Sequence, residues 1–409
     1  MNYKRGSLAS IFLSLSLLLI SANAHAVPSF ARQTGLACSS CHTIFPELKP
    51  FGRTFKLNGY TLTGITTQVK SSPTSSASGL KVNQTPPLSA MLQINGASSN
   101  VNTPNPQFNL PAEFSLFFAG EISPKMGSFI QLTMEQGGSF EMDNTDIRFA
   151  DNSGQTTYGV TVNNNPTVQD VWNSTPAWGY PWTGGASLTQ PLVADGLGQN
   201  VMGLGGYTRL GNGLYAELTL YQSTNDFDAP AGGAPGTARI QGSTPYARVA
   251  WEKGFANGDD MMVGAYGMQS TIYDNGGGAL GTDKYNDIAV DTQYEHQLNG
   301  GNSFSAHAAY TSEKQDLVMS GGGSPTLNAL RIDGTYHWGS RSEFTLGYAN
   351  NAGNGGAYDD EAITAQYSYL PWQNTKFTAQ YTDYTKLGGL TGSAASDNNT
   401  FLVQAWLMW

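Results

Sequence analysis

Apolar and polar residues alternate along most of the chain, from about residue 88 to the C-terminus. In 112–121, for example, Phe114 and Phe118 fall on one face, and Glu113 and Ser115 fall on the other. Alternation with a period of two residues is typical of a β-strand with one apolar and one polar face. The pattern predicts sixteen strands, at 88–98, 112–121, 127–136, 144–150, 155–162, 201–210, 213–222, 244–253, 260–273, 285–297, 302–314, 327–337, 341–350, 360–370, 373–384 and 399–409.

The connections between these strands alternate between short turns, such as 298–301, and longer polar stretches, such as 163–200 and 223–243. Short periplasmic turns and long extracellular loops are typical of antiparallel outer-membrane barrels. The even strand number and the alternation predict an all-β, closed barrel of about sixteen strands in outer-membrane lipid. Both termini are expected on the periplasmic side.

The last predicted strand places Phe401, Val403 and Trp409 on one face and ends on that aromatic residue. It is similar to the C-terminal strand of bacterial outer-membrane barrels. The alternative is a buried edge strand of a soluble sandwich, and the pattern of the whole chain favours the barrel. A barrel of this size encloses a lumen wide enough for a channel or a plug.

Residues 1–26 have the features of a signal peptide. Lys4 and Arg5 precede the apolar run 8–20, and Ala24-His25-Ala26 provides a small-residue cleavage site. A transmembrane anchor is the alternative, but the apolar run is too short for one. We expect the mature chain to lie outside the cytoplasm.

Composition limits the partners of the chain. Only 12% of the residues are charged, Gly numbers 49, and the formal net charge is −10. A chain with this excess of acidic residues is not expected to bind nucleic acid, whereas cations are natural partners.

Both cysteines of the chain lie in Cys38-Ser39-Ser40-Cys41-His42. This spacing is the attachment pattern of a covalent haem c, in which the two thiols bond the porphyrin and the histidine ligates iron. A disulfide, a thioredoxin-like redox pair, a zinc site and a chance match are the alternatives. Zinc would need four ligands and the redox pair a βαβ unit, so one covalent haem c is the favoured interpretation.

The flanks of this motif carry a resemblance to a known family. Residues 27–64, with Phe30-Ala31-Arg32-Gln33-Thr34-Gly35 before the motif and Phe51-Gly52-Arg53 after it, resemble the haem segment of the fused outer-membrane cytochrome–porins of iron-oxidising bacteria. The stretch 163–182 also looks like that family. The resemblance implies a cytochrome segment at 27–70, a Ser/Thr/Pro linker at 71–87 and a porin-like barrel at 88–409.

The same resemblance implies an activity. Members of the family are thought to oxidise extracellular Fe(II) and to pass the electron through the barrel to a periplasmic c-type cytochrome. We expect residues 27–70 to plug the lumen, because a haem held within it is reachable from both sides. A place near the outer mouth is the one considered for Fe²⁺ that enters past the loops. An electron conduit for another extracellular donor or acceptor, and a solute porin plugged by a haem segment, remain the alternatives.

The haem also predicts candidate contacts. Arg32, Arg53 and Lys56 are cations near His42 in sequence, and they suit haem propionates or, alternatively, salt bridges with the lumen wall. No Met or His occurs between residues 43 and 90, so a distal iron ligand must come from the barrel, be water or be absent. Strand parity points three candidates into the lumen: Met91, His307 and His337.

Two acidic loop stretches could attract Fe²⁺ through hard oxygen ligands, although charged loops are more often only solvated. Their residues are Asp226, Asp228, Asp359, Asp360 and Glu361.

The motif generates the first testable prediction. Purified membranes should contain one haem that stays on the polypeptide in a denaturing gel, at about the 43.6 kDa of the full chain. Cys41→Ala should lose one thioether, and with it most of the covalent haem stain. Full covalent haem in Cys41→Ala would contradict the assignment.

Overall fold

The computed structural model describes residues 28–43, 45–62, 86–101, 104–172, 174–175, 188–194, 196–231, 236–276, 281–353 and 358–409. The predicted signal peptide 1–26 and most of the predicted linker 71–87 lie outside the described residues. No helix among the described residues is long and apolar enough to cross a membrane.

The strands form one antiparallel sheet that closes on itself, because β1 pairs with β2 on one side and with β18 on the other. Sixteen strands make the closed barrel, and β8 and β17 are short additions beside it. The strands are β1 (Leu88–Ser98), β2 (Gln107–Ser123), β3 (Met126–Glu135), β4 (Glu141–Ser153), β5 (Thr156–Asn163), β6 (Val201–Arg209), β7 (Leu214–Ser223), β8 (Ala238–Ile240), β9 (Thr244–Gly254), β10 (Asp260–Asp274), β11 (Thr282–Gln297), β12 (Ser303–Leu317), β13 (Thr326–Trp338), β14 (Ser342–Gly353), β15 (Asp360–Trp372), β16 (Thr375–Leu387), β17 (Leu390–Thr391) and β18 (Thr400–Met408).

All sixteen predicted strands are therefore confirmed, and most are longer than predicted. The sequence pattern missed β8 and β17, because two or three residues are too few to show a period of two. Both lie among the long connections.

The two faces of the barrel have opposite polarity. On β11, Ile288 and Val290 are 65% and 55% exposed on the outer face, whereas Asp287 and Asp291 are buried in the lumen. The outer face of β18 likewise carries Phe401, as predicted. A soluble sandwich would bury its apolar face, so this inversion fits a barrel surrounded by lipid.

The described parts of the connection 164–200 turn into the lumen. The backbone amides of Leu192 and Val193 donate to Glu313 Oε2 (2.6 Å) on β12 and Asp287 Oδ2 (2.8 Å) on β11. The apolar side chains of the loop pack on buried wall tyrosines, namely Tyr221, Tyr246, Tyr266 and Tyr285. The barrel thus narrows its own lumen toward the long-loop end.

Residues 28–62, called here the N-terminal segment, contain three short helices and lie against the lumen wall. The helices are α1 (Pro28–Thr34), α2 (Cys38–Cys41) and α3 (Pro50–Leu57). Two further helices occur in the barrel connections, α4 (Pro166–Gln169) and α5 (Ser393–Ser396), together with 3₁₀ turns at Leu192–Ala194 and Asn299–Gly301.

Helix α3 begins where Pro50 occupies the first turn, a position at which the missing N–H costs nothing. Its buried face carries Phe55 and Leu57. Lys49, which precedes the helix, is partly exposed. Helix α3 is therefore amphipathic, and its apolar face lies against the wall.

Arg53 on α3 anchors the segment. Its guanidinium donates to Glu252 Oε1 (2.8 Å), Asp260 Oδ1 (2.8 Å) and Glu295 Oε1 (2.5 Å), and its side chain is fully buried. Burial would lower the pKa of Arg53, but the three carboxylates raise it overall. Because a buried charge is tolerated only when it is paired, this ion cluster fixes α3 at the β9–β11 wall.

Further bonds dock the rest of α3 and the turn that follows it. The ammonium of Lys56 donates to the carbonyls of Val168 and Asp170 in the inward loop. The hydroxyl of Tyr60 donates to Asp146 Oδ2 at 2.6 Å. The N-terminal segment contacts the wall toward the end of the barrel that carries the short turns. These contacts involve β1, β2 and the hairpins β4–β5, β9–β10 and β13–β14. The segment is thus near the short-turn end, and the expected place near the outer mouth is wrong.

Replacing Arg53 with Leu should release the N-terminal segment, because three buried carboxylates lose their cation. Breaking a buried ion pair typically costs about 3–5 kcal/mol. Limited proteolysis of the folded barrel should therefore cut Arg53→Leu within residues 28–62 at much lower protease concentration than the wild type.

The exposed pair Arg239–Asp226 supplies the matched control. Arg239→Leu should leave the protection unchanged, since exposed ion pairs contribute little. If Arg53→Leu were as protected as the control, the ion cluster would not be what holds the segment.

Candidate functional site

The two cysteines and the histidine of the motif occupy one turn of chain. Helix α2 spans Cys38–Cys41, and the amide of His42 donates to the carbonyl of Cys38 at 2.9 Å. Neither cysteine forms a disulfide. The turn therefore presents two thiols and an imidazole within five residues, as covalent attachment of one porphyrin requires.

Helix α3 packs directly on this turn. The amide of Lys49 donates to the carbonyl of Cys41 at 2.8 Å. A Cβ on Gly52 would lie 2.3 Å from that same carbonyl oxygen, closer than real Cβ atoms approach. The close contact explains why glycine follows Phe51, and it couples α2 to the anchored Arg53.

The ring of His42 is fixed in one tautomer. Its Nδ1 lies 3.1 Å from the carbonyl oxygen of Glu47. Because a carbonyl can only accept, Nδ1 carries the hydrogen and Nε2 keeps its lone pair. Metal-ligating histidines are almost always held by such a bond on the other ring nitrogen.

The charge states of the motif also fit ligation. Burial lowers the pKa of His42 to about 4, so the ring is neutral near pH 7. Burial, followed by the neighbouring Cys38, raises the pKa of the Cys41 thiol to about 11. A thioredoxin-like pair needs a thiol with a lowered pKa, so the redox-pair alternative loses support.

A cleft lies between the motif and two short turns of the barrel. It is lined by Cys38, His42, Phe45, Arg341 and Trp372, among others, and has a volume of about 150 Å³. Ligand pockets commonly measure about 300–1,000 Å³. The residues present therefore fit the attachment chemistry of a haem, whereas the cleft itself is smaller than an ordinary ligand pocket.

Arg341 is the cation that sequence reasoning missed. It lies in the β13–β14 turn and lines the cleft, whereas Arg53 and Lys56 are engaged by the barrel wall and the inward loop. The remaining candidate, Arg32, donates to the carbonyl of Leu88. Arg53 forms salt bridges with the lumen wall, which was the alternative to a propionate contact. The propionate contact stays a prediction for Arg32 and gains no support for Lys56.

The three candidate distal ligands all face the lumen, yet none lines the cleft. Met91 is fully buried in an apolar cluster that also contains Phe45 and that Cys38 touches. Met408 pairs with Met91 in the β1–β18 register and joins the same cluster. Successive side chains of a strand point to opposite faces, and Trp409 faces outward. The same alternation would therefore have predicted that Met408 points into the lumen.

His307 and His337 lie elsewhere, around the carboxylate of Glu47. His307 Nδ1 is 2.8 Å from Asp333 Oδ2, and His337 Nε2 is 3.9 Å from Glu47 Oε2. Since the backbone of Glu47 holds Nδ1 of His42, these histidines lie toward the Nδ1 side of that ring. The structure gives neither of them support as a distal ligand.

The acidic loop residues do not form a common site. Asp226 pairs with Arg239, and Asp228 accepts from the amide of Gly236. Asp360 is buried and accepts from the amides of Thr189 and Gly388. Asp359 accepts from the amide of Gly353, and Glu361 accepts from the hydroxyl of Tyr348 and pairs with Lys386. Among the described residues, the one group with metal-like spacing is Glu47, His307 and Asp333.

No protein-family model matches the chain, and no curated protein matches it in sequence. Its fold is similar to that of solved porins. The anion-selective porin from Comamonas acidovorans is 17% identical, with a TM-score of 0.51 over 78% of this chain and 98% of the porin. OmpF of Salmonella typhi, solved as a complex with daunomycin, is 14% identical, with a TM-score of 0.50 over 79% and 97%. The chain thus has a porin-like outer-membrane barrel fold.

The contact between α3 and α2 gives a test of the site. Gly52→Ala should push α3 away from Cys41 and His42, at a cost typical of overpacking, about 1–3 kcal/mol. We expect less covalent haem per chain and a lower thermal midpoint.

Gly206→Ala on β6 is the control, because its Cβ would meet its nearest neighbour at an ordinary 3.8 Å. Unchanged haem content in Gly52→Ala would show that the packing of α3 does not position the motif.

Proposed function

We propose that the chain is an outer-membrane cytochrome–porin that oxidises extracellular Fe(II) and passes the electron to a periplasmic c-type cytochrome. The carrying observation is His42, whose Nδ1–H is held by the Glu47 carbonyl beside two free thiols, within a porin-like barrel. The sequence resemblance to the cytochrome–porins of iron-oxidising bacteria supports the assignment of the donor.

The residues of the chain have separate roles in this proposal. Cys38 and Cys41 would bond the porphyrin, and His42 would ligate its iron through Nε2. The Glu47 carbonyl holds the imidazole in the ligating tautomer. Phe45 and Trp372 line the cleft beside the motif. The haem, when bound, supplies a one-electron carrier.

The two ends of the barrel would serve different partners. The cleft adjoins short turns, which face the periplasm in barrels of this type, so a soluble acceptor could approach it there. Fe²⁺ would enter from the long-loop end. The buried lumen residues among those described include more Asp and Glu than Lys and Arg, which attracts a dication.

The porin-like fold is also consistent with the alternative of a solute channel. Against free conduction, the N-terminal segment occupies the short-turn end, and residues 188–194 lie inside the lumen, where they contact Asp287 and Asp360. A conduit for another extracellular donor or acceptor uses the same parts, so the donor itself must be tested.

Stopped-flow mixing of oxidised holoprotein with Fe²⁺ should produce reduced haem, and His42→Ala should abolish the reduction because it removes the iron ligand. Asp226→Asn with Asp228→Asn should slow reduction by Fe²⁺ but not by a neutral reductant, since only a dication is drawn to the loops.

The slowing should diminish with added salt. If a neutral reductant reduced the haem and Fe²⁺ did not, Fe(II) would be excluded as the electron donor. Solute conductance in planar bilayers that is unchanged without haem would instead favour the solute porin.

A further inference from the structure

The cleft beside the attachment motif has positively charged side chains at its edge. Arg341, in the β13–β14 turn, is exposed and lines the cleft. The ammonium of Lys49 donates to the carbonyl of Ser39 at 3.0 Å, and Ser39 is an exposed residue of the cleft lining. Both cations therefore lie at the edge of the same opening, next to the turn that carries the thiols.

Carboxylate side chains are absent from this edge. None of the described residues that line the cleft is Asp or Glu. Glu295, which acts electrostatically on Lys49, is buried and bound by Arg53. The neighbouring short turns also contain no acidic residue, namely 298–302, 339–341 and 373–374. The edge of the cleft is thus cationic, in a chain whose formal net charge is −10.

An exposed aromatic side chain adjoins the two cations. Trp372 is 60% exposed and lines the cleft. Tryptophan and arginine are enriched at protein interfaces and among the residues that contribute most to binding. The turn that follows Trp372 also reaches the motif, because Gln373 Oε1 lies 3.6 Å from Cys38 Sγ. A protein that rests on this surface would therefore lie close to the attachment motif.

We propose that Arg341, Lys49 and Trp372, called here the cationic rim, form the docking surface for an acidic face of the soluble protein that accepts the electron. Charge complementarity directs the encounter and the orientation of partners more than it adds affinity. A small surface is sufficient, since electron-transfer partners use small and weak interfaces. The identification of the partner as an electron acceptor rests on the proposed function, whereas the cationic rim itself does not.

Docking at the rim would place the acceptor on the side of the barrel that holds the thiols and His42. One electron would leave the haem iron, and the oxidised centre of the acceptor would gain it, with no bond formed or broken. The two ends of the barrel would then select partners of opposite charge. The acidic lumen attracts Fe²⁺, and the cationic rim attracts an acidic protein.

The first test measures binding without a redox step. Fluorescein-labelled decaglutamate is titrated into holoprotein in nanodiscs of neutral lipid, and binding is followed by fluorescence anisotropy. Arg341→Gln combined with Lys49→Gln should weaken the binding severalfold, as the loss of two exposed ion pairs predicts. Added salt should weaken binding to the wild type in the same direction.

The matched control removes two cations from the same end of the barrel but not from the cleft. Lys125 pairs with Asp151, and the ammonium of Lys253 lies over the rings of Trp251 and Phe255. Lys125→Gln combined with Lys253→Gln should therefore bind decaglutamate with wild-type affinity. All variants are compared at equal thermal stability and haem content.

The second test reduces the haem with dithionite and then oxidises it with reagents of opposite charge. The rim variant should slow oxidation by the anion hexacyanoferrate(III), and it should not slow oxidation by the cation tris(phenanthroline)cobalt(III). A changed haem potential or a damaged fold would alter both rates in the same direction, so the contrast isolates the charge of the rim.

No decaglutamate binding, binding that the rim substitutions do not weaken, or equal effects on the two oxidants would overturn the docking surface. The expected binding and the expected contrast, in a protein whose haem Fe²⁺ does not reduce, would keep the docking surface and refute Fe(II) oxidation.

Discussion

The structure depends on the closure of its hydrogen-bonded sheet. Lipid offers no partner to a backbone N–H or C=O, so strands can cross it only in a sheet without free edges. The pairing of β1 with β18, from Met91 to Ser98, removes the last edges. Closure leaves each side chain only two directions, toward lipid or toward the lumen. Apolar residues consequently cover the outside, while Asp, Glu, Gln, Thr and Tyr collect within.

The closed lumen limits which side chains of the N-terminal segment can be buried inside it. Charges inside it are removed from bulk water, so each one must find a partner. Arg53 meets three wall carboxylates, and Lys56 meets two carbonyls of the inward loop. The segment is therefore held by polar complementarity as much as by the apolar contacts of Phe45, Phe55 and Tyr60 with the wall residues Met91 and Phe117. The buried Glu47 carboxylate accepts hydrogen bonds from the hydroxyls of Thr43 and Ser305.

Docking at the short-turn end also divides the lumen into two regions. Cys38 and His42 line the cleft beside the short turns, and the described parts of the connection 164–200 narrow the lumen toward the long loops. Glu47 lies between these regions, with its carbonyl on His42 and its carboxylate toward β12 and β13. Glu47 thus links the attachment motif to the β12 wall.

The sequence by itself determined the features that depend on local spacing. A period of two marks a strand and its lipid face, and Cys-x-x-Cys-His places two thiols and an imidazole on one turn. It also gave the inward direction of Met91, His307 and His337. Only the tertiary structure decided the depth of the segment, the partners of Arg53 and the cleft cation Arg341. Those partners lie 199, 207 and 242 residues away along the chain. Which residues meet across a lumen depends on the register of every strand around the barrel, and that register leaves no local trace in the sequence.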